Sequence, residues 1–347
     1  MGSNPACPTI ARSLLRGAVL ALLLGGGAAA QMPPFEMDSP IRCPAGQRCP
    51  IEVQVDHDPG PGIRDFACGT VTYDGHSGID IRVQDLLSVA QGVPVVAAAP
   101  GRVVTVQDQI RDHSSFDYDR REARTASVCG NRVVVQHTPE WSTHYCHLRQ
   151  GPAPVRVGQQ VAAGDLLGYV GMSGDTSFPH FQFNLLYEGG GRRVDVDPFA
   201  PEGAGADCSA DLSASAWSPA AQRELAYASP ALVNIGFAAE AVSNRGIENG
   251  TYSRSRPEAG SPALVVYARV IGLEPGDVQR LTLLGPDGQV VAEQQTDPLE
   301  EPRLQSFLFT GRRLTAARWP AGVYRGFYEV LRQGRVVLSA EDSLAIP

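Results

Sequence analysis

The 347-residue chain contains no lysine; all 29 of its basic residues are arginine. That excludes a lysine Schiff base, a P-loop lysine and a serine–lysine dyad. Positive charge is also in short supply: 37 acidic residues leave a formal net charge of −8, which argues against a nucleic-acid-binding surface. Histidine is missing after His180 and cysteine after Cys208. Metal-ligand or redox chemistry therefore belongs to the first part of the chain. Long apolar runs are missing too. The run Gly17–Leu24 is too short to span a membrane, and no later stretch approaches the required length.

What is present describes an exported globular protein. The hydrophobic share is 43% and the charged share 19%, values of folded domains and not of a disordered tail. Arg12 and Arg16 precede the apolar run, small residues follow, and Ala28 and Ala30 form an A-x-A site. This pattern predicts a signal peptide over residues 1–30, cleaved after Ala30, and a periplasmic or extracellular mature chain. Six cysteines remain beyond it: Cys43, Cys49, Cys68, Cys129, Cys146 and Cys208. In an oxidising compartment an even count suggests disulfides, with many connectivities open. Cys43 and Cys49 bracket a short loop and are the pair the spacing predicts. The paired C-x-x-C spacings of a zinc knuckle are absent.

Residues 31–69 are rich in Pro and Gly and are expected to be an extended lead-in. From 70 to 200 short β-runs alternate with glycine turns: 79–83, 93–97, 102–106, 132–136 and 165–169. They predict a compact antiparallel β domain, interrupted by a polar surface insertion over 107–130. Residues 201–230 form a linker in which Ser218 and Pro219 open a short helix reaching about Tyr227. The remainder, 231–347, repeats strands (263–270, 280–284, 322–330) and turns, the pattern of a small β-sandwich. Lacking His and Cys, that half is expected to bind or space and not to catalyse. The fold class is thus mostly β.

The chemistry-bearing residues are ordered. His76 and Asp80 stand four apart; on an extended run they would share a face. An imidazole and a carboxylate there make two-thirds of a catalytic zinc shell or, equally, a surface pair. Tyr145-Cys-His147-Leu148 follows, then a glycine-spaced segment from Val155 to Gly174, then Pro179-His180-Phe181-Gln182-Phe183. Taken in order, these blocks resemble the M23 (lysostaphin and LytM-type) family of zinc peptidases that cut peptidoglycan peptides. The resemblance covers roughly residues 70–200.

The resemblance implies that His76 and Asp80 are zinc ligands and that His147 and His180 are the two catalytic imidazoles. It implies a third zinc ligand at position 182, where the family has histidine and this chain has Gln182. Offset two on a strand keeps 180 and 182 on one face, so Gln182 points where that ligand belongs. Its neutral amide oxygen is a poorer zinc donor than imidazole. Two readings follow. One is a secreted, zinc-dependent endopeptidase acting on peptidoglycan peptide cross-links. The other is an M23-like domain impaired in catalysis, which binds peptidoglycan or regulates another cell-wall hydrolase. Of the other histidines, His57 and His113 are expected to be solvated and His137 structural. His144 should lie on the face opposite His147, where it remains the best substitute ligand. Met172-Ser173-Gly174 fails the G-x-S-x-G spacing of a serine nucleophile at Asp175.

Overall fold

The computed structural model describes residues 33–113, 127–203 and 212–347. The expected signal peptide, the centre of the expected insertion and part of the expected linker lie outside these residues. Among the described residues, eight strands form one antiparallel sheet. In chain order they are β1 (Ile51–Val53), β2 (Ile79–Arg82), β4 (Gly101–Gln107), β5 (Asn131–Gln136), β6 (Trp141–Leu148), β7 (Gln160–Val161), β9 (His180–Gly189) and β10 (Arg192–Val196). Their spatial order is β1-β2-β9-β6-β5-β4-β7, with β10 beside the second half of β9. Two more, β3 (Pro94–Val96) and β8 (Leu166–Tyr169), pair separately. The β-runs expected at 79–83, 93–97, 102–106, 132–136 and 165–169 all fall on strands.

Strand alternation sorts the side chains. On β9, Phe181, Phe183 and Leu185 are fully buried in the first core with Ile79, Ile81 and Tyr145. Each such apolar side chain contributes about 1.5–3 kcal/mol on burial. The intervening His180, Gln182 and Asn184 take the other face. The segment expected to be an extended lead-in has few regular elements, yet it is bound into this core. Met37 and Ile41 are fully buried, β1 pairs with β2, and Val55 and Phe66 pack beneath. Its polar, Pro-rich composition conceals apolar residues at isolated positions. The helix Pro219–Glu224 starts where the sequence places it, with Ser218 accepting from the Ala221 amide, and ends three residues before Tyr227. Trp217 and Leu225 anchor it to the same core. Cys43–Cys49 and Cys129–Cys146 are disulfides, and Cys68 is disulfide-bonded as well.

The C-terminal half is a sandwich. A three-stranded sheet of β11 (Ala231–Ala238), β12 (Ala263–Leu273) and β15 (Arg303–Arg313) faces a four-stranded one. The latter holds β13 (Val278–Leu284), β14 (Val290–Gln295), β16 (Gly322–Arg332) and β17 (Arg335–Ile346). Leu264, Val266, Leu281, Leu283, Tyr324 and Tyr328 fill the space between them. Every residue of β12 is buried, because its second face is covered too. Ile247 and Tyr252, from the short helices Asn244–Glu248 and Thr251–Arg254, pack there on Val265 and Tyr267.

Candidate active site

The site is built on the face of β9 that the aromatic core leaves open. In register, Asp80 lies opposite Gln182 and Arg82 opposite His180, while Cys146 faces Gln182 from the other side. The sequence expectation that 180 and 182 share a face matches this geometry. The expectation for His76 and Asp80 does not: β2 begins only at Ile79, and His76 sits in the turn before it. The turn folds back so that His76 Nε2 approaches Asp80 Oδ1 at 3.2 Å. Gly78 permits this, since a Cβ there would lie 2.9 Å from the Phe183 carbonyl oxygen.

His147 reaches the same face through a bulge. Between the pairs Asn131↔Leu148 and Val133↔Tyr145, β6 carries one residue more than β5. His147 has φ 59°, a left-handed conformation that costs a non-glycine residue about 1–3 kcal/mol and concentrates at functional sites. Its amide donates to the Cys129 carbonyl at 2.8 Å, and the Cys129–Cys146 disulfide ties the same two segments. The bulge also corrects the placement of His144. Alternation no longer separates it from His147; it pairs with Asn184 on the site face and lies 3.4 Å from Ser142 Oγ.

Each of the three site imidazoles is held by its Nδ1 on a backbone carbonyl: His76 on Gln54 at 2.8 Å, His147 on Ser173 at 2.8 Å and His180 on Phe178 at 2.9 Å. A neutral ring so held donates from Nδ1 and presents the Nε2 lone pair inward. Metal-ligating histidines are oriented in the same way. His76 Nε2 and His180 Nε2 point at the Asp80 carboxylate, the latter at 3.6 Å from Oδ2. The His147 and His180 ring centroids are 4.8 Å apart.

A chain of amides orients Gln182. Asn184 Nδ2 donates to the Ser77 carbonyl at 3.1 Å, which turns Asn184 Oδ1 toward Gln182 Nε2, also at 3.1 Å. The Gln182 amide oxygen is thereby directed into the cluster, 3.3 Å from His147 Nε2. His147 Nε2 and Gln182 Oε1 thus face each other, with His180 Nε2 beside the Asp80 carboxylate. Imidazole nitrogens and carboxylate or amide oxygens are of the kind that bind cations. Among the described residues, no group of three His, Cys, Asp or Glu side chains is arranged to hold an ion. A metal here would rest on His76, Asp80 and the Gln182 amide oxygen.

Electrostatics follow from burial, since His76, Asp80, His147 and His180 are all buried. Desolvation, with His180 nearby, lowers the His147 pKa to about 4. Desolvation lowers His180 as well, against the pull of Asp80. Burial alone would raise Asp80, but His76 and His180 hold it at about 2. His76 is raised despite its burial, because Asp80 stabilises its cation. At neutral pH His147 and His180 are unprotonated and Asp80 is a carboxylate.

The histidines expected to be solvated are not. His57 Nε2 lies 2.7 Å from Asp197 Oδ2 with its side chain only 12% exposed. His113 Nε2 lies 2.9 Å from the Gly174 carbonyl. Each ring is thus held by a residue distant in sequence. His137 bridges the Pro100 carbonyl and Thr143 Oγ1. Asn184 went unrecognised in the sequence, although its offset of two from Gln182 is a legible signal. Thr176, 3.0 Å from His180 Nδ1, has no such signal.

The domain is thus mostly antiparallel β, with His76, Asp80, His147 and His180 buried together at one sheet face. Residues 74–198 match Peptidase family M23, and the chain carries a domain of that family. Cell division protein DipM of Caulobacter vibrioides is 30% identical over 112 residues, 32% of this chain and 14% of that protein. Peptidoglycan DD-endopeptidase ShyA of Vibrio cholerae is 35% identical over 66 residues, 19% and 15% of the two chains. The matches thus span well under half the length of these relatives. Among solved structures, the lysostaphin catalytic domain of Staphylococcus simulans is 19% identical with a TM-score of 0.27, covering 42% of this chain and 85% of that one. A zinc-containing peptidase from Vibrio cholerae is 23% identical with a TM-score of 0.26, covering 43% and 39%.

Proposed function

We propose that the chain is an exported, metal-dependent endopeptidase that hydrolyses peptide cross-links of bacterial peptidoglycan. The observation that carries this reading is the buried cluster of His76, Asp80, His147 and His180, toward which the Asn184 network turns the Gln182 amide oxygen. The M23 domain and the peptidoglycan endopeptidase among the relatives support the substrate class.

Zinc fits the donors His76 Nε2, Asp80 and Gln182 Oε1. When bound, it supplies Lewis acidity and acidifies a water toward a pKa of about 7. The protein does the rest. His147, unprotonated and fixed by Ser173, can accept a proton at Nε2. His180, fixed by the Phe178 carbonyl and Thr176, presents a second Nε2 to stabilise the oxyanion or protonate the leaving amine. The chemistry leaves open which imidazole takes which part. The core beneath β9 keeps both rings in place without reorganisation.

One observation favours a second reading, a non-hydrolysing peptidoglycan-binding or regulatory module: the third donor is neutral, and a zinc site built on it is weaker. Incubating the mature protein with purified peptidoglycan separates the two. We expect soluble peptides to be released, release to stop with a chelator and zinc to restore it. Binding without release at any zinc concentration would favour the second reading.

A further inference from the structure

Arg82 shares the site face of the sheet but takes no part in the imidazole cluster. It lies opposite His180 in the β2–β9 ladder and its side chain is completely buried. Its Nη1 donates to Glu52 at 2.6 Å, and its Nη2 donates to Glu248. Glu248 is the last residue of a helix in the C-terminal half, 166 positions along the chain. It also pairs with Arg269 Nη1 of β12 at 2.7 Å, and Arg269 Nη2 donates to the Gln84 carbonyl just beyond β2. Two arginines and two glutamates, none with a side chain more than 3% exposed, form a charge-balanced knot between the halves.

The knot touches the site through one ring. The Arg82 guanidinium carbon lies 5.0 Å from the centroid of Phe178, a cation–π distance. Phe178 stacks on the His180 imidazole with centroids 4.3 Å apart and planes 27° apart. Hydrogen bonds fix which nitrogen of His180 faces inward, whereas the Phe178 stack fixes the tilt of the ring. Phe178 is in turn held by a guanidinium whose direction is set by Glu52 on one branch and Glu248 on the other.

We propose that Glu248 is a positioning residue for His180, so that the C-terminal half sets the geometry of the site and is more than a spacer. Without its carboxylate, Arg82 swings toward Glu52, Phe178 loses its partner and the imidazole tilts. The catalytic consequence rests on the hydrolase reading; the geometric one does not.

The test uses the full-length protein with labelled histidine, comparing wild type, Glu248→Gln and an Arg82→Met/Glu248→Gln double variant. The double variant removes one buried charge of each sign, so that the net charge of the knot stays zero, and circular dichroism checks that each variant is folded. A Leu281→Ala cavity in the sandwich core lowers stability without touching the knot. In the metal-free protein at fixed pH, the ring proton resonances of His180 should shift in both Glu248 variants. They should stay in place in Leu281→Ala, and those of His57 should stay in place throughout. With peptide substrate, kcat should fall about tenfold to a hundredfold in the Glu248 variants, the scale of a misplaced catalytic group, with KM unchanged. Unmoved His180 resonances in the Glu248 variants, or an equal shift in Leu281→Ala, would overturn the proposal. Wild-type protein without activity but with the predicted shifts would sink the hydrolase reading and leave the positioning role standing.

Discussion

Gln182 shows how far single residues can be read from sequence and where reading stops. His76, Asp80, His147, His180 and Gln182 were legible through the resemblance of their ordered blocks to the M23 family, and the structure brings all five together. What the Gln182 amide does was not legible, since its orientation depends on Ser77 and Asn184 from two different strands' neighbourhoods. Nor was the bend at His147, because a left-handed histidine has no sequence marker. The two imidazoles outside the proposed metal shell, His147 and His180, have a measurable signature. His147→Ala should lower kcat by about a hundredfold or more while zinc content stays at the wild-type level. A parallel loss of zinc would make His147 a ligand and not a proton acceptor.

At the scale of elements, the strands with strong alternation or continuous apolar runs were the readable ones: β2, β3, β4, β5, β8, β12, β13 and β16. The mixed sequence of β15, Arg303-Leu-Gln-Ser-Phe-Leu-Phe-Thr-Gly-Arg-Arg313, concealed a strand whose pairing with β12 is long and regular. The short helices at 244–254 were invisible because packing on β12, not propensity, holds them. On β6, His144 makes a stability prediction. Desolvation, with Arg193 and Arg132, lowers its pKa from an ordinary 6.5 to about 4. Between those values the unfolded chain binds a proton that the folded chain refuses, so stability falls as pH drops through that window. Urea titrations of His144→Gln should show a shallower loss between pH 6.5 and 4 than wild type. Identical slopes would place the acid sensitivity elsewhere.

On the scale of the whole molecule, two cores are joined by buried charges. Removing one member of a buried pair costs about 3–5 kcal/mol, so the knot of Arg82, Glu52, Glu248 and Arg269 should couple the unfolding of both halves. Calorimetry should show one transition for wild type and two for Glu248→Ala; two in wild type would mean the halves unfold independently. The sequence indicated two β units but not this joint, because Glu248 and Arg269 look like ordinary surface charges until the fold buries them. Whether the M23 domain is a working metal site turns on Gln182, and the zinc-to-protein ratio of purified wild type, Gln182→Ala and Gln182→His tests it most directly. A shell completed by the amide oxygen predicts about one zinc per wild-type chain, a marked loss in Gln182→Ala and full occupancy in Gln182→His. A zinc-free wild type that gains the metal only as Gln182→His would contradict it.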